Sequence, residues 1–196
     1  MQAARGASLK PSDPDSQPSR PRPRRRYLVV FGVVAALTYA IDLVTKIVAV
    51  EVLAGNPVEV VGDLFTLYLA RNPGAAFSTG TGFTEVLSVI AVAATLVTLW
   101  IARRLGSVGW ALGLGFLLGG VVGNLTDRIF RAPGPLEGHV VDFLRLPNFP
   151  VFNFADIWIN IAAATIIIQS LRGIRVDGER HEDEDQDTSA SSATDS

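Results

Sequence analysis

The sequence contains no cysteine and only two histidines, and these gaps exclude several chemistries. Without cysteine there is no disulfide, no thiolate nucleophile and no thiolate metal ligand. His139 is the only histidine before the acidic C-terminal residues, and no serine lies in a G-x-S-x-G turn, so a serine triad is not expected. Two histidines alone also do not supply a zinc ligand set. We therefore expect a protein without a metal and without a cofactor.

Charge is scarce over most of the chain and is concentrated at its two ends. Hydrophobic residues make up 48% of the sequence, while residues 1–26 hold seven Lys and Arg and residues 177–196 hold eight Asp and Glu. We expect a disordered basic segment over 1–26 and a disordered acidic tail over 176–196, because neither has enough apolar surface to order itself. Arg24, Arg25 and Arg26 directly precede an apolar run, which favours a cytoplasmic membrane anchor and argues against nucleic-acid binding.

Between these ends, residues 27–175 form a predicted membrane domain with four spans. A helix needs about 20 apolar residues to cross a bilayer. Suitable segments run over Tyr27–Val50, Thr84–Ala102, Val108–Thr126 and Asn153–Leu171. Four spans return the chain to the side on which it started. Arginines flank the span ends on that side, so both termini are expected in the cytoplasm. The first span is interrupted by Asp42 and Lys46, which is typical of a retained helix and not of a cleaved signal peptide.

The two connections on the outer side are not simple loops. Residues 58–77, "VEVVGDLFTLYLARNPGAAF", alternate apolar and polar side chains and then turn at Asn72 to Gly74, which predicts a short strand pair. Residues 129–152 are rich in proline, glycine and aromatics. That composition indicates a segment resting at the level of the lipid headgroups.

Polar residues from separate stretches are predicted to meet near the outer ends of the helices. Asp42 lies about 23 Å along its helix from Tyr27, in a hydrocarbon core about 30 Å thick. The other members of the cluster are Asn124, Asp127, Arg128, Asp142, Asn153 and Asp156. Charged groups inside a membrane are costly and usually face a cavity or a partner. Their convergence at one depth predicts a functional site.

Most members of this cluster also have a purely structural interpretation. Asp42 and Lys46 are spaced i, i+4 and either neutralise each other or support the site. Asp127 beside Arg128 indicates an interfacial ion pair, and Asn72 either shapes a turn or joins the site. The glycines of "LGLGFLLGGVVGN", residues 112–124, favour close helix packing over contact with a ligand.

Asp142 and Asp156 together suit one chemistry. Two carboxyl groups held side by side cannot both ionise, so one keeps a proton and polarises a carbonyl group while the other accepts a proton from water. This arrangement hydrolyses a peptide bond without a metal or a covalent intermediate. The sequence therefore favours a membrane hydrolase with an aspartate dyad.

At these residues the sequence resembles the lipoprotein signal peptidases, also called signal peptidase II. The resemblance rests on five motifs in order along the chain: "DLVTK" from 42, "NPGAAFS" from 72, "GGVVGNLTDR" from 119, "VVDF" from 140 and "FNFADIWIN" from 152. The resemblance extends from Tyr27 to Arg172. Leu43 stands where many members of the family carry glutamine, a position not expected to touch the scissile bond.

The resemblance implies a mainly α-helical fold with four membrane helices, a small extracytoplasmic β-cradle and an interfacial segment. It implies an aspartic endopeptidase that removes signal peptides from diacylglyceryl-modified prolipoproteins, cleaving before the lipidated cysteine at the outer face of the bacterial cytoplasmic membrane. Asp142 and Asp156 would be the catalytic dyad. The implied substrate-binding residues are Asn72, Asn124, Arg128 and Asn153, and the implied structural residues are Asp42, Lys46 and Asp127. Globomycin, a cyclic peptide, would inhibit the enzyme.

Two other functions stay open at this stage. A small transporter or proton-conducting protein also places Asp and Lys in a membrane, although here the polar groups gather at one end and do not cross the bilayer. An inactive scaffold with an acidic tail for partners is the other alternative. One chain holds every group that peptide hydrolysis needs, so we expect a monomer in contact with membrane lipids.

Overall fold

The computed structural model describes residues 24–74 and 82–180. The helices are α1 (Arg24–Val52), α2 (Gly82–Ala102), α3 (Val108–Phe130) and α4 (Phe154–Leu171). All four are long and apolar enough to cross a membrane. The four predicted spans are confirmed, although α3 continues past Thr126 to Phe130.

One face of α1 explains why this helix can hold charged residues. Its buried side chains recur every three or four residues and are Tyr27, Phe31, Ala35, Thr38, Asp42, Lys46 and Ala49. The opposite face exposes apolar side chains such as Leu37, Val44 and Val48, which suits contact with lipid. Asp42 and Lys46 therefore lie on the inward stripe, away from the lipid.

Glycines allow α3 to pack closely against α1 and α4. A Cβ added at Gly119 would lie 2.8 Å from the Ala35 carbonyl oxygen, and one at Gly120 would lie 2.6 Å from that of Ala155. Any larger residue would push the helices apart. The prediction that these glycines serve helix packing is confirmed, and the close approach fixes the depth at which the polar residues of α1, α3 and α4 meet.

A three-stranded antiparallel sheet covers one end of the bundle, which we call the sheet end. Its strands are β1 (Val58–Val61), β2 (Phe65–Asn72) and β3 (Val140–Arg145), in the order β1-β2-β3. The predicted strand pair is confirmed as β1 and β2. Within the predicted interfacial segment, residues 129–152, the structure adds the strand β3, which the sequence analysis did not predict. That strand is buried on both faces except at Arg145 and so lacks the polar alternation that would reveal it.

The opposite end of the bundle, which we call the hairpin end, is closed by a turn after α4. Ile174 pairs with Arg180 in an antiparallel bridge, so residues 176–180, assigned above to the acidic tail, belong to this hairpin. Arg24 to Arg26, assigned above to the basic segment, form the first turn of α1. The rest of both terminal segments, and residues 75–81 with most of the "GAAFS" motif, lie outside the described residues.

Candidate active site

Asp142 lies in the middle of β3, where the sheet holds it against the end of β2. The register pairs Asp142 with Ala70 and Val140 with Asn72. The Asn72 side-chain Nδ2 donates to Asp142 Oδ2 at 2.9 Å, and the Gly74 backbone N–H donates to Asn72 Oδ1 at 2.8 Å. The turn after β2 thus orients the Asn72 amide toward the carboxylate. Both sequence interpretations of Asn72 hold, because it shapes the turn and contacts Asp142.

Asp156 lies in the first turn of α4, where it takes part in a capping box. The Asn153 side chain accepts from the Asp156 backbone N–H at 3.1 Å, and Asp156 Oδ2 accepts from the Asn153 backbone N–H at 3.1 Å. Such reciprocal bonds satisfy donors that a helix start leaves free. The local sequence Asn-Phe-Ala-Asp therefore fixes the position of the second acid.

Asn153 connects the two acids. Its side chain is completely buried, and its Nδ2 donates to Asp142 Oδ1 at 2.6 Å while its backbone N–H contacts Asp156. The same Nδ2 lies 3.1 Å from Asn124 Oδ1. One residue therefore holds β3 and α4 in register, so that the two predicted catalytic carboxylates belong to a single hydrogen-bonded unit.

Asn124 on α3 supplies the remaining contact to this unit. Its Nδ2 donates to Asp156 Oδ1 at 2.9 Å, and its Oδ1 accepts from Lys46 Nζ at 2.9 Å. Because the ammonium group can only donate, it forces the amide oxygen toward itself and the amide nitrogen toward Asp156. Each of the four carboxylate oxygens of Asp142 and Asp156 now accepts one hydrogen bond, and every donor is an uncharged amide.

Burial gives Asp142 an unusual affinity for protons. Only 2% of the residue is exposed, and burial is the main reason why the pKa of Asp142 rises from 3.8 to about 6. The hydrogen bond from Asn72 opposes this rise, while the negative charge of Asp156 adds to it. Asp156 is less deeply buried than Asp142. Asp142 is therefore the member of the pair that is better suited to keep a shared proton.

A separate ion cluster lies beside this unit. Lys46 Nζ is 2.8 Å from Asp42 Oδ2 and 3.0 Å from Asp127 Oδ2, and all three residues are almost fully buried. Arg131 Nε also contacts Asp127. The predicted ion pair between Asp127 and Arg128 was wrong, because adjacent helical residues point in different directions whereas Arg131 lies one turn further on the same face.

The ion cluster is tied to the backbone on either side of the site. Asp42 Oδ1 accepts from the Ala155 N–H at 2.8 Å, and Asp127 Oδ2 accepts from the Val141 N–H at 3.1 Å. Val141 directly precedes Asp142, and Ala155 directly precedes Asp156. Sequence reasoning missed these backbone donors and Arg131. Of these three groups, only Arg131 could have been found from the sequence, because it is spaced i, i+4 from Asp127.

Arg128 is placed differently from the other cations. Its Nη1 is buried and has no hydrogen-bond partner among residues 24–74 and 82–180. The guanidinium group nevertheless lies near enough to Asp142, Asp127 and Asp156 to sense their charges. A buried donor without a partner is costly, and a hydrogen bond from Nη1 to an added acceptor would remove that cost.

Within the described parts of the chain, no three His, Asp or Glu side chains converge in a way that could hold a metal ion. Asp42 and Asp127 are instead bound by cations, whereas Asp142 and Asp156 are bound by amides. All nine residues predicted for the site and its support lie at the sheet end. They are Asp42, Lys46, Asn72, Asn124, Asp127, Arg128, Asp142, Asn153 and Asp156.

Comparison with known proteins identifies the family of the chain. The family model described as signal peptidase (SPase) II matches residues 34–172. A lipoprotein signal peptidase from Mycobacterium tuberculosis is 49% identical over 170 residues, which cover 85% of this chain and 84% of the relative. One from Rhodococcus jostii is 48% identical over 166 residues, covering 84% of this chain and 83% of the relative.

The fold has also been seen in solved structures. A structure described as a bacterial membrane enzyme superposes with a TM-score of 0.65 at 25% identity and covers 74% of this chain and 94% of that chain. A second structure with the same description gives a TM-score of 0.63 at 26% identity, covering 73% of this chain and 88% of that chain. The chain belongs to the signal peptidase II family of membrane peptidases.

Proposed function

We propose that this peptidase is of the aspartic type, with Asp142 and Asp156 as its catalytic dyad. It removes signal peptides from diacylglyceryl-modified prolipoproteins and cleaves before the lipidated cysteine. The observation that carries the proposal is that two acids from separate elements share Asn153 and accept hydrogen bonds only from neutral amides. Arg128 lies near enough to sense the charges of both acids, but no cation of the described residues forms an ion pair with either of them. Such a pair can retain one proton and act as acid and base together.

The reaction uses the two carboxyl groups in complementary states. Asp156, which is partly exposed, acts as the base and accepts a proton from the attacking water, while protonated Asp142 donates to the carbonyl oxygen of the scissile bond. The tetrahedral intermediate then collapses as its hydroxyl proton returns to Asp142 and the proton on Asp156 passes to the leaving amine. The products are a free carboxyl and a free amine, and the dyad regains its single proton.

Arg128 positions the substrate in this scheme. Its unpartnered Nη1 donates to a backbone carbonyl of the signal peptide near the scissile bond. Asn72, Asn124 and Asn153 hold the carboxylates by hydrogen bonds from their side-chain amides. These roles use groups already oriented by the fold, which reduces the reorganisation needed during the reaction.

Membrane placement supports a lipidated substrate. The dyad lies at the helix ends and not in the middle of the bundle, so an acyl-modified cysteine can stay in the lipid while its peptide bond reaches Asp142. With both termini in the cytoplasm, as the arginine distribution predicts, the sheet end faces the outer side. Relatives named lipoprotein signal peptidase are consistent with this substrate class.

Replacing either acid by its amide tests the dyad. We expect Asp142→Asn and Asp156→Asn to lower kcat/KM on a diacylglyceryl-modified lipopeptide at least about 1,000-fold, because each removes a proton-transfer group. Asp63→Asn is the matched control, since Asp63 is exposed in the turn between β1 and β2 at the same end. Activity of either dyad variant within tenfold of the unmodified enzyme would exclude that residue from catalysis.

The same assay tests the substrate and the inhibitor. A peptide with an unmodified cysteine should be cleaved much more slowly than its lipidated form, and globomycin should abolish cleavage of the latter. Equal rates for the two peptides would disprove the lipid requirement. Absence of cleavage by the unmodified enzyme in a bilayer would support the inactive scaffold.

A further inference from the structure

A polar cavity lies at the hairpin end, opposite the dyad. Its volume is about 440 Å³, and it is formed by the start of α1, the start of α3, the end of α4 and the closing hairpin. Asp156 and Gln169, which lines the cavity, lie near opposite ends of α4, and the helical rise separates them by about 20 Å. The cavity is therefore independent of the peptidase site.

Three arginines from three segments line this cavity: Arg26, Arg172 and Arg180. No Asp or Glu lines it, and none of the three guanidinium groups forms an ion pair within the described ranges. Arg175, by contrast, is on the other side of the hairpin and lies 3.8 Å from Asp177. Three unneutralised cations around one cavity create a positive potential that attracts an anion.

The start of α3 adds further positive potential. Ser107, the N-cap residue, has an extended backbone but makes no side-chain hydrogen bond to the helix. Gln169, which is only 6% exposed, donates to the Ser107 hydroxyl at 3.2 Å and keeps it away from the first helical N–H groups. A helix start left without a side-chain cap favours bound anions such as phosphate.

The hairpin gives the cavity a fixed wall. The Gly106 N–H donates to the Val176 carbonyl at 2.8 Å, and the Trp110 indole N–H donates to the Ile174 carbonyl at 2.8 Å. A Cβ at Gly106 would clash with the backbone of Asp177, so the hairpin can approach only a glycine. The arginines at its base are thus presented on a docked structure.

We propose that this cavity binds the phosphate group of an anionic phospholipid at the membrane surface opposite the dyad. Arg26, Arg172 and Arg180 contact the phosphate, and the acyl chains follow the exposed apolar face that starts at Leu28 and Val29 on α1. Tyr27, Val108 and Ile174 give the cavity an apolar part. A lipid matches both the charged and the apolar parts of this lining. The acidic residues that follow Arg180 would match only the charged part, so the lining favours a lipid.

The test is lipid binding by the full-length protein in detergent, followed by native mass spectrometry. Three probes are compared: short-chain phosphatidylglycerol, short-chain phosphatidylcholine and inorganic phosphate. We expect phosphatidylglycerol to bind at least about tenfold more tightly than either of the others. Equal binding of the two lipids would overturn the anionic specificity, and equally tight binding of inorganic phosphate would overturn the lipid assignment.

Substitutions locate the site. Arg172→Gln combined with Arg180→Gln should weaken phosphatidylglycerol binding about tenfold or more, whereas the charge-preserving pair Arg172→Lys and Arg180→Lys should retain most of it. Arg103→Gln is the control, since Arg103 is exposed at the same end but does not line the cavity. If lipid affinity fell equally in the control and in the double glutamine variant, binding would depend on the overall positive charge of this end and not on the cavity.

The acidic C-terminal tail could occupy the cavity in place of a lipid, and a separate variant tests this alternative. Glu182, Asp183, Glu184 and Asp185 are replaced together by the corresponding amides in the full-length chain. If the lipid occupies the cavity, its affinity changes less than about twofold. A rise of tenfold would show that the tail fills the cavity and would overturn the proposal.

Discussion

The sheet end contains two pairs of buried acids that differ in what surrounds them. Asp42 and Asp127 share Lys46, and Asp127 also contacts Arg131. Asp142 and Asp156 accept hydrogen bonds only from amides. Since Asn124 contacts both Lys46 and Asp156, the two pairs are neighbours, and they differ in the groups that contact them. A cation in contact with an acid favours its ionised form more strongly than a neutral amide does.

The first pair also serves the second. Asp42 and Asp127 each hold the backbone N–H of the residue just before a dyad acid, namely Ala155 and Val141. The ion cluster therefore fixes the positions of Asp142 and Asp156 without altering their charge by direct contact. This division explains why so much buried charge gathers at one end of a small membrane domain.

Removal of the shared cation should produce the largest effect. Lys46→Met leaves Asp42 and Asp127 with one less positive partner in a buried place, and we expect a loss of about 3–5 kcal/mol in the free energy of unfolding. Unfolding in detergent, followed by loss of helical circular dichroism, measures this. If the cluster were only incidental, the variant would unfold like the unmodified protein.

A double variant controls for lost packing. Asp42→Asn together with Lys46→Met lacks the same lysine side chain as the single variant. It also lacks the carboxylate that the single variant leaves without its partner. It should be more stable than Lys46→Met alone. A double variant that is less stable than the single one would show that charge pairing is not the reason for the effect.

The next prediction places a cation in direct contact with the proposed dyad. Asn72→Lys should bring an ammonium group beside Asp142 Oδ2, lower the pKa of Asp142 and reduce kcat/KM about 100-fold, because the proton needed for general acid catalysis is lost. Asn72→Met has a similar length but no charge and serves as the control. Equal activity of the two variants would indicate that only the lost hydrogen bond matters.

The smallest effect concerns pH. Burial raises the pKa of Asp142 to about 6, so the free enzyme loses the shared proton as the pH rises through that value. We expect kcat/KM on a substrate without ionisable side chains to fall about tenfold for each pH unit above it. The pKa belongs to the coupled pair and is read from the profile as such. A constant kcat/KM between pH 5 and 8 would contradict this assignment.

Local patterns were sufficient to predict the helices and the first two strands. Long apolar runs fixed α1 to α4 because a bilayer demands about 20 such residues, and alternation fixed β1 and β2. β3 was not predicted, since "VVDFLR" is buried on both faces and lies between proline-rich segments. The pairing of β3 with β2 depends on distant contacts that no local pattern encodes.

The sequence predicted which residues belong to the candidate site but not the hydrogen bonds that connect them. Helical rise placed Asp42 near the ends of α3 and α4, and the structure brings these elements together through Lys46. The double role of Asn153 could not be read from sequence, because one amide contacts residues on β3 and α3 that are far apart in the chain. Side-chain direction decides such contacts, and it follows from tertiary packing.

The capping box at the start of α4 has a consequence for protein engineering. Since Asp156 caps the start of α4 and belongs to the proposed dyad, the four residues Asn153 to Asp156 form one cassette. Within it, the start of the helix and the proposed catalytic group cannot be varied separately. A chimaera that exchanges α4 between relatives should place its junctions outside this cassette. A crossover within it would sever the amide bridge to Asp142 even if both parent helices were intact.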